Sequence, residues 1–197
     1  MGDRITVARE AARLLYTGTA EEYIQAKEMA AANIEARANP SNHEVAEELD
    51  RLADELEGSD RVKQLVEMRG VALEVMNALA AYAPKLIGSV WRGTAHRGSD
   101  IDIIAFSEIP SNLEKSLKHY NIAGKGEVVL KGKIRAYRIL LDVGKFKVEI
   151  VVRNLLEYKQ EKCGIYGDLK RGLSILELEN LLHSNPLRRF VPRRRVR

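Results

Sequence analysis

The stretch from Leu86 to Phe106 constrains the fold more than any other part of the chain. It ends in an alternation of acidic and apolar residues, Asp100-Ile101-Asp102-Ile103. Alternation with a period of two predicts a strand, and residues two apart on a strand lie on the same face. Asp100 and Asp102 are therefore predicted to project together from a sheet, while the two isoleucines point into a core.

The turn before this strand supplies a second chemical group. Gly88-Ser89 follows the apolar residues Leu86 and Ile87. Glycine lets backbone N–H groups approach a phosphate closely, and a serine hydroxyl adds another donor. Two adjacent carboxylates repel each other, and a hard cation such as Mg²⁺ relieves that repulsion because it prefers carboxylate oxygens. The stretch therefore predicts a site for a divalent metal and a phosphate, as nucleotide chemistry requires.

The spacing of these groups points to a known family. Gly88-Ser89, ten further residues and then Asp100-Ile101-Asp102 resemble the signature of the DNA polymerase β-type nucleotidyltransferase superfamily. Within it, the chain is similar to the minimal nucleotidyltransferases, and the similarity covers roughly residues 60–155. The alternative interpretation is a simple helix–strand turn followed by a solvated strand edge that carries two acids.

The resemblance implies a third acid on a later strand, which completes the metal site. We predict Glu149 for this place because it lies on the polar face of an otherwise apolar strand, 146–152. Carried over from the family, Asp100, Asp102 and Glu149 are catalytic and metal-binding, and Glu149 helps to activate the attacking hydroxyl. The family often has Asp in the third place, so Glu149 is a mild departure. Asp142 is the alternative, although its place at a hairpin reversal also suits a turn.

Nucleotide binding is predicted for Gly88, Ser89 and Arg92. The first two would contact the β and γ phosphates, and the guanidinium of Arg92 suits bidentate pairing with phosphate oxygens. The alternative for Arg92 is a solvated charge on a helix. Lys145 and Lys147 are assigned to the same face as Glu149, where they would neutralise a triphosphate or the acceptor unless they are only edge charges.

Three other residues have two interpretations each. Trp91 would either stack on a base or anchor the packing of the turn. His96 lies in the loop before Asp100, and a surface position is favoured over one in the site. Cys163, the single cysteine, is predicted to be a small packed residue rather than a nucleophile.

The resemblance implies an enzyme that moves a nucleoside monophosphate from a nucleoside triphosphate, expected to be ATP, to a hydroxyl acceptor with release of pyrophosphate. Two Mg²⁺ ions are the expected cofactors, with Mn²⁺ as an alternative. RNA, a protein hydroxyl and a small molecule remain open as acceptors. Two alternative functions are a catalytically silent member of the fold that binds a helical partner protein, as an antitoxin-like regulator does, and a nucleic-acid-binding protein that acts through its basic tail.

The predicted fold class is α+β, with a mixed nucleotidyltransferase-like sheet backed by helices and an N-terminal helical region. The predicted units are a helical region at 1–58, a catalytic domain at 59–155, C-terminal helices at 156–186 and a basic tail at 187–197. Predicted helices cover 4–16, 21–37, 42–56, 61–82, 111–120, 155–162 and 174–183, and the predicted strands besides the one at Asp100–Ile103 cover 85–87, 127–130, 134–141 and 146–152. Capping boxes are predicted at 19–22, 41–44, 111–114 and 174–177, and a flexible turn is predicted at 124–126.

Charge and composition limit the possible cellular locations and binding partners of the protein. The net charge of +4 is localised, because residues 187–197 contain six arginines and no acid. Such a tail either binds phosphates by counterion release or is a disordered end. A single cysteine and the lack of a secretory signal predict a cytoplasmic protein without an internal disulfide framework. No membrane span is expected, since no apolar run reaches about 18 residues.

Overall fold

The computed structural model describes residues 2–130, 134–156 and 158–192. The described helices are α1 (Gly2–Tyr16), α2 (Tyr23–Asn33), α3 (Asn42–Glu57), α4 (Ser59–Ala78), α5 (Gly88–Arg92), α6 (Pro110–Ser116) and α7 (Ile175–Ser184), with a 3-10 turn at Ala80–Tyr82. The strands are β1 (Lys85–Ile87), β2 (Ile101–Phe106), β3 (Asn121–Leu130), β4 (Ile134–Val143) and β5 (Phe146–Arg153). None of the described helices combines the length and apolar character needed to cross a membrane.

The five strands form one mixed sheet in the order β1-β2-β5-β4-β3. Strand β2 is antiparallel to β1 and parallel to β5, and the remaining pairs are antiparallel. The last strand in sequence therefore lies between β2 and β4 rather than at the edge. The predicted α+β class, a mixed sheet backed by helices, is confirmed.

One face of the sheet is buried against helices and forms the main core. The alternation in β2 and β5 directs their isoleucines and valines to this face, where each fully buried side chain contributes about 1.5–3 kcal/mol. Helices α4 and α7 supply the other side of the core. Its members include Met68, Val75, Met76, Ile101, Ile103, Val148, Ile150 and Leu178. The acids of β2 and β5 consequently lie on the opposite face.

Helices α1, α2 and α3 share a separate core, and we call residues 2–57 the N-terminal module. Its buried side chains are mostly small, which allows the helix axes to approach closely. They include Val7, Ala8, Ala11, Ala26, Ala30 and Val45. This second core agrees with the prediction of a distinct helical region, while the predicted domain boundaries remain a prediction.

Buried Arg61 connects the N-terminal module to the sheet domain. Its guanidinium donates to Asp50 at 2.6 Å and to Asp54, both on α3. It also donates to the carbonyl oxygens of Thr94 and Ala95, at 3.0 and 2.8 Å, in the loop that leads to β2. One side chain on α4 thus fixes the module relative to the loop before the paired aspartates.

Two of the four predicted capping boxes are confirmed and two are wrong. Ser41 and Ser174 each cap a helix, reciprocally with the glutamate three residues later. Helix α2 instead begins after Glu22 without a side-chain cap, because the Thr19 hydroxyl bonds the hydroxyl of Thr17 at 2.8 Å. Helix α6 begins at Pro110, whose fixed φ suits the first helical turn, so the box predicted at 111–114 lies inside the helix.

Two further predictions on local structure are wrong. The helix predicted at 155–162 is absent from the described residues of that range, which form a turn at 155–156, irregular backbone at 158–161 and an isolated bridge at Lys162. The turn predicted at 124–126 lies within β3, where a register shift between Ile122 and Gly124 takes up the irregularity. At 124–126 the pairing of β3 with β4 outweighs the turn signal of the two glycines.

Part of the basic tail is packed against the domain. Phe190 stacks on Trp91 with ring centroids 6.4 Å apart, and its N–H donates to the Arg92 carbonyl oxygen at 2.9 Å. Arg189 forms an ion pair with Asp50 of α3. The proximal tail, 187–192, is therefore packed as part of the folded domain. The four arginines at 193–197 lie outside the described residues.

Replacing Arg69 with methionine is expected to lower the free energy of unfolding by about 3 kcal/mol. Arg69 is completely buried, and its guanidinium donates to the carbonyl oxygens of Val90, Trp91, Pro186 and Arg188. Burial lowers the pKa of Arg69 to about 10, yet truncation would leave these carbonyl groups unsatisfied. Urea unfolding measures the change.

The matched control for that prediction is Arg51→Met. The side chain of Arg51 is 54% exposed and pairs with Glu48 on the same helix, so its loss should change stability by less than about 0.5 kcal/mol. Equal destabilisation by the two variants would contradict a bridging role for Arg69.

Candidate active site

The pairing of β2 with β5 brings two of the predicted acids together. Asp102 and Glu149 are direct partners in the parallel register, on strands about 4.8 Å apart. Asp100 immediately precedes β2, is exposed, and lies two residues from Asp102 on the same face. The expectation that β5 lies beside the two aspartates is thus confirmed. Glu149 is partly exposed, and its nearest cation is Arg138 of β4 at 3.9 Å.

Gly88 packs directly against the carboxylate of Asp102. Strand β1 pairs Ile87 with Asp102, so the first residue of α5 meets that side chain. Gly88 has φ +72°, a left-handed conformation that favours glycine. A Cβ atom there would overlap the Asp102 Oδ2 atom and lie 2.8 Å from its Cγ. Both the conformation and the space at this position therefore require glycine.

The surroundings of Asp102 disfavour its ionised form. Burial raises the pKa of Asp102 to about 7, with further contributions from the negative charges of Glu149 and then Asp100. The positive charge of Lys170 acts in the opposite direction. The neutral acid therefore persists to a higher pH than in an ordinary aspartate, and a bound cation would favour the carboxylate.

The three carboxylates fit a metal that is held jointly with a substrate. Within 2–130, 134–156 and 158–192, no three His, Cys, Asp or Glu side chains are arranged to hold a metal ion by themselves. Mg²⁺ is usually bound by one or two carboxylates together with water and substrate phosphates, rather than by a complete protein cage. The oxygen donors of Asp100, Asp102 and Glu149 suit that mode of binding.

A cleft of about 870 Å³ separates the sheet domain from the N-terminal module. The sheet side contributes Gly88, Ser89, Asp100, Asp102 and Lys147. The module contributes a wall with the apolar or aromatic residues Leu15, Ala20, Tyr23, Ala46 and Leu49 and the acids Glu21 and Asp50. The segment after β5 closes one end with Cys163, Gly164, Ile165, Tyr166 and Lys170. The cleft thus has charged groups on its sheet side and mainly apolar groups with two acids on its module side, a combination that suits a nucleotide.

Arg92 also lines this cleft, but its guanidinium already has protein partners. It pairs with both carboxylate oxygens of Asp168, at 2.7 and 3.2 Å, and donates to the carbonyl oxygen of Phe190 at 2.8 Å. The aromatic rings of Trp91 and Tyr166 lie 4.5 and 4.6 Å from its central carbon. Arg92 is 4% exposed, so the alternative of a solvated helix charge is wrong. Nucleotide contact by Arg92 stays a prediction.

The other residues with two interpretations are now placed. Trp91 is buried and packs on Phe190, as an anchor would, and Cys163 is buried too. His96 is half-buried and stacks on Tyr16 at 5.6 Å, and burial lowers its pKa. The favoured surface position for His96 is therefore wrong.

The two lysines near Glu149 have separate roles. Lys147 lines the cleft, whereas the Lys145 ammonium pairs with Glu67 of α4 at 2.5 Å. Asp142, the alternative third acid, is the register partner of Lys147 and so lies two strands from β2. It is exposed, and its carboxylate accepts a hydrogen bond from the Asn121 side chain at 3.4 Å. This placement favours Glu149 over Asp142.

Sequence reasoning missed the contributions of Lys170, Tyr166 and the module to the cleft. Lys170 follows an irregular segment with no hydrophobic periodicity, so no local pattern marks it. A pairing such as that of Arg92 with Asp168, 76 residues apart, leaves no trace in a single sequence.

Residues 85–163 match the family model of the nucleotidyltransferase domain. This match spans β1 to β5, including Gly88, Asp100, Asp102 and Glu149, and it confirms the resemblance. The match covers 79 of the 197 residues. Among curated protein sequences none matches the chain.

Parts of several solved structures are similar to part of this chain. Cid1, described for its RNA terminal uridylyl transferase activity, is 16% identical with a TM-score of 0.34, and the match covers 48% of this chain and 32% of Cid1. The GLD-2/RNP-8 complex matches at 11% identity and a TM-score of 0.33, over 50% of this chain and 39% of that one. The Cid1 poly(U) polymerase with bound MgGTP is 17% identical with a TM-score of 0.33, and the match covers 47% of this chain and 33% of that one. The match therefore spans about a third of the length of these structures.

Proposed function

We propose that the nucleotidyltransferase domain at residues 85–163 moves a nucleoside monophosphate from a nucleoside triphosphate to a hydroxyl acceptor, with release of pyrophosphate and with the help of divalent metal ions. One observation carries the proposal. The half-buried carboxylate of Asp102 lies against Gly88, beside Glu149 and Asp100, in a cleft large enough for a nucleotide. ATP and Mg²⁺ are the first nucleotide and ion to test, and Mn²⁺ is the second ion.

The residues of the cleft divide the work between phosphate binding and metal binding. The first N–H groups of a helix have no partner within it, so the start of α5 at Gly88 and Ser89 offers donors to phosphate oxygens. Asp100 and Asp102 would hold the metal, and Glu149 would complete the set. When bound, the ions neutralise charge on the triphosphate and align the reacting oxygens.

The proposed reaction has a simple balance of bonds. The acceptor oxygen forms a bond to the α-phosphorus, while the bond from that phosphorus to the oxygen bridging to the β-phosphate breaks. Pyrophosphate leaves with the electron pair of the broken bond. The proton of the acceptor hydroxyl passes to a carboxylate, for which Glu149 is our choice because it is partly exposed on the cleft-side face, beside Asp102.

The test uses the full chain, Mg²⁺ and each of the four nucleoside triphosphates, labelled either at the α or at the γ phosphate. Short RNA oligonucleotides, a protein fraction and a small-molecule fraction serve as separate acceptor pools. Only the α label is expected to enter an acceptor. Transfer should fall by about 100-fold or more in Asp100→Asn and Glu149→Gln, because each loses a carboxylate that binds metal or accepts a proton. Chelation of the metal should stop it.

Equal labelling by the wild-type protein and both variants would contradict the proposal, as would transfer of the γ label. Lack of transfer to every pool, together with a helical protein that co-purifies at a fixed ratio, would favour the silent regulatory alternative. RNA binding that is lost with residues 187–197 and is steeply dependent on salt, without any transfer, would favour the nucleic-acid-binding alternative.

A further inference from the structure

Two lysines of the cleft lack an ionic partner among the residues that the structure describes. Lys147 of β5 and Lys170 both line the cleft with Gly88 and Ser89. Within the part of the chain that the structure describes, neither ammonium forms an ion pair. Other lysines of the sheet domain do form such pairs, as Lys125 does with Glu114 and Lys145 with Glu67. Unpaired cations beside a triphosphate site are available for an anionic ligand.

Lys170 reaches the cleft on an irregular segment, residues 163–170, that we call the clasp. Backbone contacts join the two ends of the clasp. Lys162, just before it, forms an isolated bridge with Leu169, and the N–H of Lys170 donates to the carbonyl oxygen of Glu161 at 2.9 Å. The positive charge of Lys170 acts on Asp102, which places its ammonium within Coulomb range of that carboxylate. The clasp lies outside the matched family region except at Cys163.

Arg92 holds the clasp against the domain. Its bidentate pair with Asp168 and the ring of Tyr166 stacked 4.6 Å from its guanidinium fix two residues of the clasp. A second attachment comes from the module, where the Asn42 side chain donates to the Gly164 carbonyl oxygen at 3.3 Å and His43 packs edge-on to Tyr166. The clasp is thus bound from both sides of the cleft.

We propose that Lys170 contacts the polyphosphate of the bound nucleotide, and that Arg92 is a positioning residue that acts through Asp168 and the clasp. This inference rests on the proposed function. The guanidinium of Arg92 has two aromatic rings within 4.6 Å and pairs with a carboxylate. The ammonium of Lys170, in contrast, forms no ion pair with any residue that the structure describes. The lysine therefore meets the phosphates without breaking an existing ion pair.

The first experiment measures binding of inorganic tripolyphosphate and of a nucleoside triphosphate with Mg²⁺, by calorimetry, to the full chain. Lys170→Met is expected to weaken both by about 10- to 100-fold, because a hydrogen bond to a charged group is lost. Binding of the parent nucleoside should not change, and Lys170→Arg should restore most of the loss. Lys162→Met is the control, since Lys162 is exposed next to the clasp and does not line the cleft.

The second experiment separates positioning from direct contact. Asp168→Asn weakens the attachment of the clasp and leaves Arg92 in place. If Arg92 acts through the clasp, tripolyphosphate binding falls in Asp168→Asn and falls no further when this change is added to Lys170→Met. If Arg92 is itself a phosphate ligand, freeing it from Asp168 leaves binding unchanged or tighter, which overturns the positioning role.

Unchanged tripolyphosphate binding by folded Lys170→Met overturns the phosphate contact. Thermal unfolding of each variant identifies any that fail to fold, and the folded Lys170→Arg variant then decides the case through its rescue. Wild-type protein that binds tripolyphosphate but no nucleotide would contradict the proposed function while leaving the anion site in place.

Discussion

Replacing Gly88 with alanine is expected to reduce nucleotidyl transfer by about 100-fold or more. The added Cβ would overlap the Asp102 carboxylate, so either that side chain or the start of α5 must move. A displacement of about 1 Å at a reacting centre costs this much in rate. The left-handed conformation adds about 1–2 kcal/mol of strain for a non-glycine residue. Turnover of the labelled triphosphate and urea unfolding measure the two effects.

Gly144→Ala is the matched control for Gly88→Ala. Gly144 also has a positive φ, +59°, but a Cβ there meets no atom within 4 Å. It lies in the turn between β4 and β5, away from the cleft, so its replacement costs the backbone strain alone and should leave transfer unchanged. If both variants lose the same activity, strain rather than the overlap with Asp102 would be responsible.

The central part of the fold could be predicted because its signals are local. Alternation along β2 and β5 assigns each side chain to one face, and a strand buried on one face has little freedom of register. Once β5 lies beside β2, Asp102 and Glu149 must be neighbours. Helices α3 and α7, whose first turns are open to solvent, also begin where their capping boxes predict, directly after Ser41 and Ser174.

The rest of the cleft depends on contacts between distant segments. Arg61 joins α3 and α4 to the loop at Thr94, and this contact sets the apolar wall of the module opposite the acids. The clasp has no periodicity because it is fixed by Arg92, Asn42 and a short bridge rather than by a sheet or helix. Such contacts form between residues dozens of positions apart, and a single sequence carries no pattern for them.

The predicted Arg92 role illustrates the same limit at one residue. The position of Arg92 on the first turn after Gly88-Ser89 suggested a phosphate ligand, and the structure does place it at the cleft. Its environment, however, includes Asp168, Tyr166 and the Phe190 carbonyl oxygen, all from the C-terminal side of the match. Tertiary contacts therefore determine which cationic side chain of the cleft is available to a phosphate, and they favour Lys170 over Arg92.

The second large effect is expected for Asp102→Asn, which should lower transfer by about 1,000-fold or more while stabilising the metal-free protein at pH 8. Loss of the metal-binding carboxylate removes several kcal/mol of transition-state stabilisation. Asp142→Asn is the control, because that acid is exposed on β4 and does not line the cleft. Its replacement should change stability by less than about 0.5 kcal/mol.

The gain in stability follows from the pKa of Asp102, which burial and two neighbouring carboxylates raise to about 7, well above the unfolded value of about 3.9. Folding therefore favours the protonated acid. The contribution of this group to the free energy of unfolding is fully present below about pH 4 and is lost as pH rises through 7. At pH 8 the ionised group opposes folding, so the Asp102→Asn variant should be more stable than the wild type by about 1–3 kcal/mol. This gain is smaller than the full pKa shift implies, because Asp102 keeps some contact with water. Urea unfolding in chelator should show the difference shrinking towards pH 4, and Mg²⁺ should stabilise only the wild-type protein. A variant less stable than the wild type at pH 8 would contradict the raised pKa of Asp102.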